Sequence, residues 1–163
     1  MLVTLTLSGC ATQPVAGTNS FSLKTARYGH AAVNDGNKIY VIAGSNKANF
    51  LSGIEIIAPK TKEIQVLADK IIPRRYFSAV WDGHHSIYII GGISLQNKQY
   101  KYEDRVEIFN TQTHEVTLGK NIPVSARINT AVFSNKRIFV LGGAHPKNRK
   151  LTATSLIAML DIK

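Results

Sequence analysis

The sequence predicts an all-β fold built from a repeated four-strand unit. A hydrophobic strand that ends in glycine occurs three times, at residues 39–44 (IYVIAG), 87–92 (IYIIGG) and 138–143 (IFVLGG). Their last residues lie 48 and 51 positions apart, and a return at about 50 residues is typical of repeat architectures. Asp-Gly turns precede the first two copies, at residues 35–36 and 82–83, and such turns between apolar runs indicate antiparallel hairpins.

Length and composition allow one domain with its own core. The chain has 163 residues, of which 44% are hydrophobic. No apolar run approaches the ~20 residues that a membrane-spanning helix needs. The net charge of +10 either keeps the surface solvated or attracts phosphates, acidic sugars or membrane headgroups. Because no motif gathers the basic residues, we do not expect nucleic-acid binding.

Each unit shows the same order of segments. An arginine opens the first strand, at residues 27–33, 75–80 and 127–132. The glycine-ended strand follows, and then polar, basic segments that we predict to be surface loops, at residues 45–53, 93–104 and 144–154. Third strands follow at 54–57, 106–109 and 157–160, the first two alternating apolar and polar residues at their start as half-buried strands do. Fourth strands are predicted near 61–64 and 113–116.

This pattern resembles the kelch repeat, whose four-stranded units form the blades of a β-propeller. Tyr40, Tyr88 and the glycine pairs match the family pattern, whereas Ile64 and Val116 stand where the family has tryptophan. The resemblance implies structural roles for the repeat glycines, which are Gly44, Gly91, Gly92, Gly142 and Gly143. We therefore expect a kelch-type propeller arc of about three four-stranded blades, at residues 20–68, 69–118 and 119–163.

The expected arc is incomplete. The third unit stops after its third strand, while residues 20–23 align with the fourth strand at 115–118 and are predicted to form a strand of that type. Closed propellers contain four to eight blades. Three interpretations stay open: a fragment of a longer gene product, which we favour, a half-ring that pairs with a second copy into a six-bladed homodimer, or a remnant that folds poorly.

The N-terminal segment resembles a bacterial lipoprotein signal. An apolar run at residues 1–7 leads into Leu7-Ser8-Gly9-Cys10, which is similar to a lipobox. The resemblance implies that residues 1–9 are a truncated signal peptide, that Cys10 carries an acyl anchor in a lipid bilayer, and that residues 10–19 form a tether. The charged n-region is missing, so we expect the true start upstream. The alternative is an apolar strand with a buried cysteine.

Ala11, rather than aspartate, follows Cys10, as in lipoproteins sent to the outer membrane. The expected location is therefore the bacterial cell envelope, at the periplasmic face of the outer membrane. If the shortened signal is not functional, the protein stays in the cytoplasm.

Few residues indicate chemistry. No phosphate-binding loop precedes a helix and no metal-ligand spacing occurs, so we expect no cofactor, no metal and no catalytic residue. The candidates for ligand binding are Arg27, Arg75 and Arg127, which open the three units, together with Arg74. In kelch propellers this place lies near the mouth of the central channel, which implies an anion site lined also by Tyr28 and Tyr76. Alternatively, each arginine bonds loop carbonyls and joins the blades.

Three functions follow from these observations. The first is a non-enzymatic, membrane-anchored module that binds a protein or an acidic glycan. The second is a cofactor-free sugar isomerase, because some exported bacterial kelch propellers resemble sialic-acid mutarotases; a general acid or base would then be required at the arginines. The third is an envelope protein whose arc packs only with other copies.

Overall fold

The computed structural model describes residues 20–123, 125–148 and 150–162. The elements in these ranges are all strands, which confirms the predicted all-β class. In chain order they are β1 (Ala31–Asn34), β2 (Ile39–Ile42), β3 (Ile54–Ala58), β4 (Glu63–Leu67), β5 (Arg74–Arg75), β6 (Ser78–Trp81), β7 (Ser86–Ile90), β8 (Ile93–Gln96), β9 (Gln99–Tyr102), β10 (Val106–Asn110), β11 (Val116–Leu118), β12 (Thr130–Ser134), β13 (Arg137–Leu141), β14 (Ala144–Lys147), β15 (Lys150–Ala153) and β16 (Ile157–Asp161).

Three antiparallel sheets form the blades of an incomplete kelch-type propeller. The first blade is β1-β2-β3-β4, the second is β6-β7-β10-β11, and the third is β12-β13-β16. Their innermost strands β1, β6 and β12 lie side by side in that order. As predicted, the described part of the third blade has three strands.

The core lies between the blades in two layers. One layer joins the first blade to the second and includes Tyr40, Ile54, Ile87 and Phe109, each no more than 1% exposed. The other joins the second blade to the third and includes Ile90, Ile138 and Val140. The fold therefore depends on successive sheets covering one another rather than on one central core.

The prediction of surface loops is wrong for residues 93–104 and 144–154, because both segments form β-hairpins. In the second blade β8 pairs with β9, and β5 extends the pair into a three-stranded sheet. In the third blade β14 pairs with β15. Asn97 and Lys98 have φ values of 49° and 62°, which match the turn that connects twisted strands through two residues. Of the three predicted loops, only residues 45–53, in the first blade, contain no strand.

The predicted strand at residues 20–23 is also wrong, since this segment forms no strand and pairs with none of the described strands. The next two residues explain why. The backbone N–H groups of Lys24 and Thr25 donate to Glu55, just as that of Ile72 donates to Glu107 in the second blade. Residues 20–23 therefore belong to the crossover that enters the first blade, equivalent to the segment that links β4 to β5.

The glycine that ends each of the three strand motifs lies against neighbouring backbone. A Cβ on Gly92 would lie 2.7 Å from Phe77 Cβ and 2.8 Å from the Arg75 carbonyl oxygen. A Cβ on Gly44 would lie 2.9 Å from the Tyr28 carbonyl oxygen. The φ values of Gly44 and Gly92 are 98° and 88°, where glycine is strongly favoured. Here the chain leaves the second strand of each blade and touches the start of the innermost strand.

No helix in the described ranges is long and apolar enough to cross a membrane. The lipobox, with Cys10 and the tether predicted at residues 10–19, lies outside the described residues.

Replacing Gly92 by alanine should destabilise the fold by roughly 3 kcal/mol, since the methyl group must displace backbone at a positive φ. Urea unfolding followed by circular dichroism measures this change. Gly36→Ala is the matched control, because Gly36 also has a positive φ, 94°, but has no atom within 4 Å of an added Cβ. It should cost only about 1 kcal/mol. Equal losses in the two variants would contradict the close approach.

Candidate functional site

Two of the four candidate arginines lie in buried ion pairs. Arg27 binds Glu55, and its side chain is 3% exposed. Arg74 binds Glu107, and its side chain is fully buried. The guanidinium groups also donate to backbone carbonyls, of Ala43 in the first case and of Gly91 in the second, each at 3.0 Å. Burial lowers the pKa of Arg74, and the charge of Glu107 opposes that shift.

The glutamates connect these arginines to the crossovers. Glu55 accepts the Lys24 and Thr25 N–H groups at 2.8 and 2.9 Å, and Glu107 accepts the Ile72 N–H at 3.0 Å. Each carboxylate thus fixes the segment that enters its own blade. The sequence pattern placed Glu55 and Glu107 on half-buried strands, but both are buried. Each glutamate is the second residue of the third strand of its blade, and this recurrence is the sequence signal that could have identified them.

Among the described residues the third blade has no such pair. Ala126 occupies the place of Arg74, because its carbonyl accepts the Gly92 N–H as that of Arg74 accepts the Gly44 N–H. Ala158 stands opposite Val140, as Glu107 stands opposite Ile89. The third blade is therefore attached to its crossover without a buried charge.

The structure also corrects the alignment of the arginines. Tyr28, Arg75 and Arg127 hold equivalent places, because each pairs with the residue after the glycine that ends the motif: Ser45, Ile93 and Ala144. Arg27 is instead equivalent to Arg74. The one-residue shift arises because the first unit has a single arginine, and sequence alignment placed it beside the wrong member of the Arg74-Arg75 pair.

Aromatic rings surround Arg75. Its guanidinium carbon lies 4.8 to 5.8 Å from the ring centroids of four residues, Tyr28, Phe50, Tyr76 and Tyr100. Arg75 Nη1 donates to the Tyr28 hydroxyl at 2.9 Å. Such contacts hold a cation through the negative faces of the rings without neutralising its charge.

Arg127 contacts one ring of this group, with its guanidinium carbon 5.8 Å from the Tyr76 centroid. We call the six residues the mouth cluster: Tyr28, Phe50, Arg75, Tyr76, Tyr100 and Arg127. Neither Arg75 nor Arg127 has a carboxylate partner among the described residues. Aromatic rings thus contact both guanidinium groups, and no described carboxylate neutralises their charge.

The mouth cluster borders an open groove of about 450 Å³ between residues 45–50 and the hairpin β8–β9. Phe50 and Tyr100 stack across it with centroids 6.1 Å apart. Tyr100 is 62% exposed and Leu95, its cross-strand partner, is 52% exposed. An apolar wall beside a positive charge suits a ligand that is both apolar and acidic.

Glu103 fixes the base of the same hairpin. It accepts the Ser94 hydroxyl at 2.5 Å and lies within 3.2 Å of Arg105. Burial raises the pKa of Glu103, but the bonds from Ser94 and Arg105 outweigh it and hold the pKa below its usual range. The carboxylate therefore stays ionised, and the hairpin is held in place above the groove.

Arg75 and Arg127 both lie against the ring of Tyr76. Arg27 and Arg74 are instead buried in ion pairs, and their contacts fit the alternative role of joining segments within the fold. An anion site on all four arginines stays a prediction, and the geometry favours a smaller one on Arg75 and Arg127. In the described ranges no three His, Cys, Asp or Glu side chains are grouped so that they could hold a metal ion.

Removing one partner of a buried ion pair should be costly. Glu107→Gln and Arg74→Met should each destabilise the protein by about 3 kcal/mol, because the other charge stays buried without a partner. The double variant should lose less than the sum of the two, which a double-mutant cycle in urea measures.

The exposed pair of Arg137 and Asp161, with a 2.7 Å contact, provides the control. Arg137→Met should change stability by less than about 1 kcal/mol. Additive effects of the Arg74 and Glu107 substitutions would show that the two side chains are not coupled.

Comparison with known proteins supports the repeat assignment. None of the curated proteins compared matches the chain. A family model, the Kelch motif, matches residues 26–63, which cover Arg27, β1 to β3 and the start of β4. The chain therefore contains a kelch repeat in its first blade. The second blade repeats the four-strand order, and the described third blade repeats its first three strands.

Proposed function

We propose that this protein is a kelch-repeat interaction module that binds an acidic segment of a partner protein at the mouth cluster. The Kelch motif supports a role in protein binding. The observation that carries the proposal is Arg75, a cation held by four rings with no carboxylate partner in the described structure. A charge ordered in this way is ready to pair with an acidic side chain.

The surroundings of Arg75 favour a protein ligand. The neighbouring surface is rich in exposed apolar side chains, with Tyr28, Leu95, Tyr100 and Ile128 each at least 47% exposed. Aromatic residues and arginine are the residue types enriched where proteins bind one another with high affinity. The apolar side chains would supply buried area, and Arg75 and Arg127 would select for negative charge.

The mutarotase alternative gains no specific support. Its chemistry requires a carboxylate or a histidine beside the arginines. The two carboxylates that touch candidate arginines, Glu55 and Glu107, are buried and ion-paired within the fold. A binding role requires no residue beyond those of the mouth cluster.

A photo-crosslinking amino acid at position 100 should capture the partner, whereas the same group at Lys62, in the β3–β4 turn, should not. With the captured protein purified, Arg75→Leu should weaken binding at least tenfold by calorimetry, since a central arginine anchor is lost. Arg75→Lys, which keeps the charge but loses the planar stacking, should fall between.

Arg137→Leu is the matched control, because Arg137 is an exposed arginine at the start of β13, away from the mouth cluster. It should leave the affinity unchanged. Equal weakening by both leucine variants would mean that net charge alone drives binding. Capture of an acidic glycan instead of a protein would also overturn the proposed partner.

We further propose that a lipid anchor at Cys10 attaches the module to the bacterial envelope, at the periplasmic face of the outer membrane. The support is the sequence alone: an apolar run, two small residues, the cysteine and a polar tether. An anchor of this kind holds a protein on a membrane without spanning it.

Expression from the genomic reading frame in bacteria supplied with a labelled fatty acid tests the anchor. The wild type should incorporate label and sediment with outer membranes, and Cys10→Ser should lose both properties. A variant at a residue outside the signal, Leu118→Ser, should behave like the wild type. Equal labelling of Cys10→Ser and wild type would refute the anchor.

A further inference from the structure

The outer face of the third blade is apolar, and no described residue covers it. Its exposed side chains are Val132, Leu141, Ile157 and Met159. Ile157 and Met159 are 61% and 62% exposed, whereas the equivalent residues of the first blade, Ile54 and Ile56, are 0% and 3% exposed because the second blade covers them. The third blade thus presents the surface by which each earlier blade receives the next one.

The hydrogen bonds between blades repeat in the same way. Gly44 N–H donates to the Arg74 carbonyl at 2.9 Å, and Gly92 N–H donates to the Ala126 carbonyl at 2.8 Å. The equivalent donor of the third blade is Gly143 N–H, which bonds to no described group. By the same repeat, its acceptor would be the carbonyl of Arg27, at the entry to a first blade.

The outer face of the first blade is the matching surface. Ala32 on the innermost strand is exposed, and Ile39 and Ile64 are half-buried. Their equivalents in the second blade, Ala79, Ile87 and Val116, pack against the first blade. Val41 and Ile57 on this face are already buried, so the inner part at Ala32 and Ile39 is the part open to a new contact.

We propose that two copies of this chain close a six-bladed ring, in which the third blade of each copy packs on the first blade of the other. Two copies together supply six of the described blades, a number within the four to eight that closed propellers contain. Two identical contacts related by a two-fold axis leave neither apolar end exposed.

Sedimentation equilibrium of the full 163-residue chain should give twice its mass of 17.9 kDa. Met159→Glu should weaken dimerisation at least tenfold, because it places an unpaired charge in an apolar contact. Ala32→Glu on the opposite end should do the same. Both side chains are exposed in the single chain, so the folded protomer should survive, and circular dichroism checks this.

Mixing the two variants separates this arrangement from others. In the ring, an Ala32→Glu copy and a Met159→Glu copy still share one unaltered contact, so the mixture should form heterodimers that neither variant forms alone. If third blades instead packed face to face, Ala32→Glu would dimerise by itself and no complementation would occur.

Leu118→Glu is the control, since Leu118 is 69% exposed in the second blade, away from both end faces. It should dimerise like the wild type. A monomeric wild-type chain, an open polymer, or loss of dimers in the Leu118 control would each overturn the proposed ring. These outcomes concern the ends of the arc, and they are independent of partner binding by Arg75.

Discussion

The mouth cluster depends on two buried ion pairs that attach the first two crossovers to the blades they enter. Arg74 and Glu107 are covered by protein, and the carboxylate also holds the backbone of Ile72. A buried pair of this kind contributes modestly when intact, but leaves an expensive unpaired charge when one partner is lost. The pair therefore specifies one path for the crossover. Because Arg75 directly follows Arg74, that path also determines where the Arg75 guanidinium lies.

Adjacent arginines consequently have opposite roles. Arg74 is enclosed and neutralised within its blade, whereas Arg75 projects among four rings and keeps its charge uncompensated by the described residues. Holding a long side chain in one place before a ligand arrives reduces the entropy lost on binding. The rings of Phe50 and Tyr100 come from two different blades, so this preorganisation exists only when the first two blades are correctly packed.

The sequence predicted the repeated sheets because they rest on local patterns: apolar strands, Asp-Gly turns and glycine-ended strands at a regular spacing. It missed the hairpins of the second and third blades, since short polar segments such as residues 93–104 form strands here through pairing with β5 and through a two-residue turn. The arginines were recognised as candidates, but their separation into buried and exposed sets depends on Glu55 and Glu107. These partners lie 28 and 33 residues further along the chain, beyond the reach of local patterns.

In the third blade, Ala126 and Ala158 stand at the positions that form a buried ion pair in each of the other two blades. The crossover of the third blade has no buried ion pair among the described residues, and the outer face of this blade has no cover from the described chain. Segments with fewer buried contacts open locally at lower free energy than the rest of a protein. Amide protons of β12, β13 and β16 should accordingly exchange with solvent before those of the first two blades. The third blade should therefore open as a unit of its own, while the four rings around Arg75, which the first two blades supply, keep their arrangement.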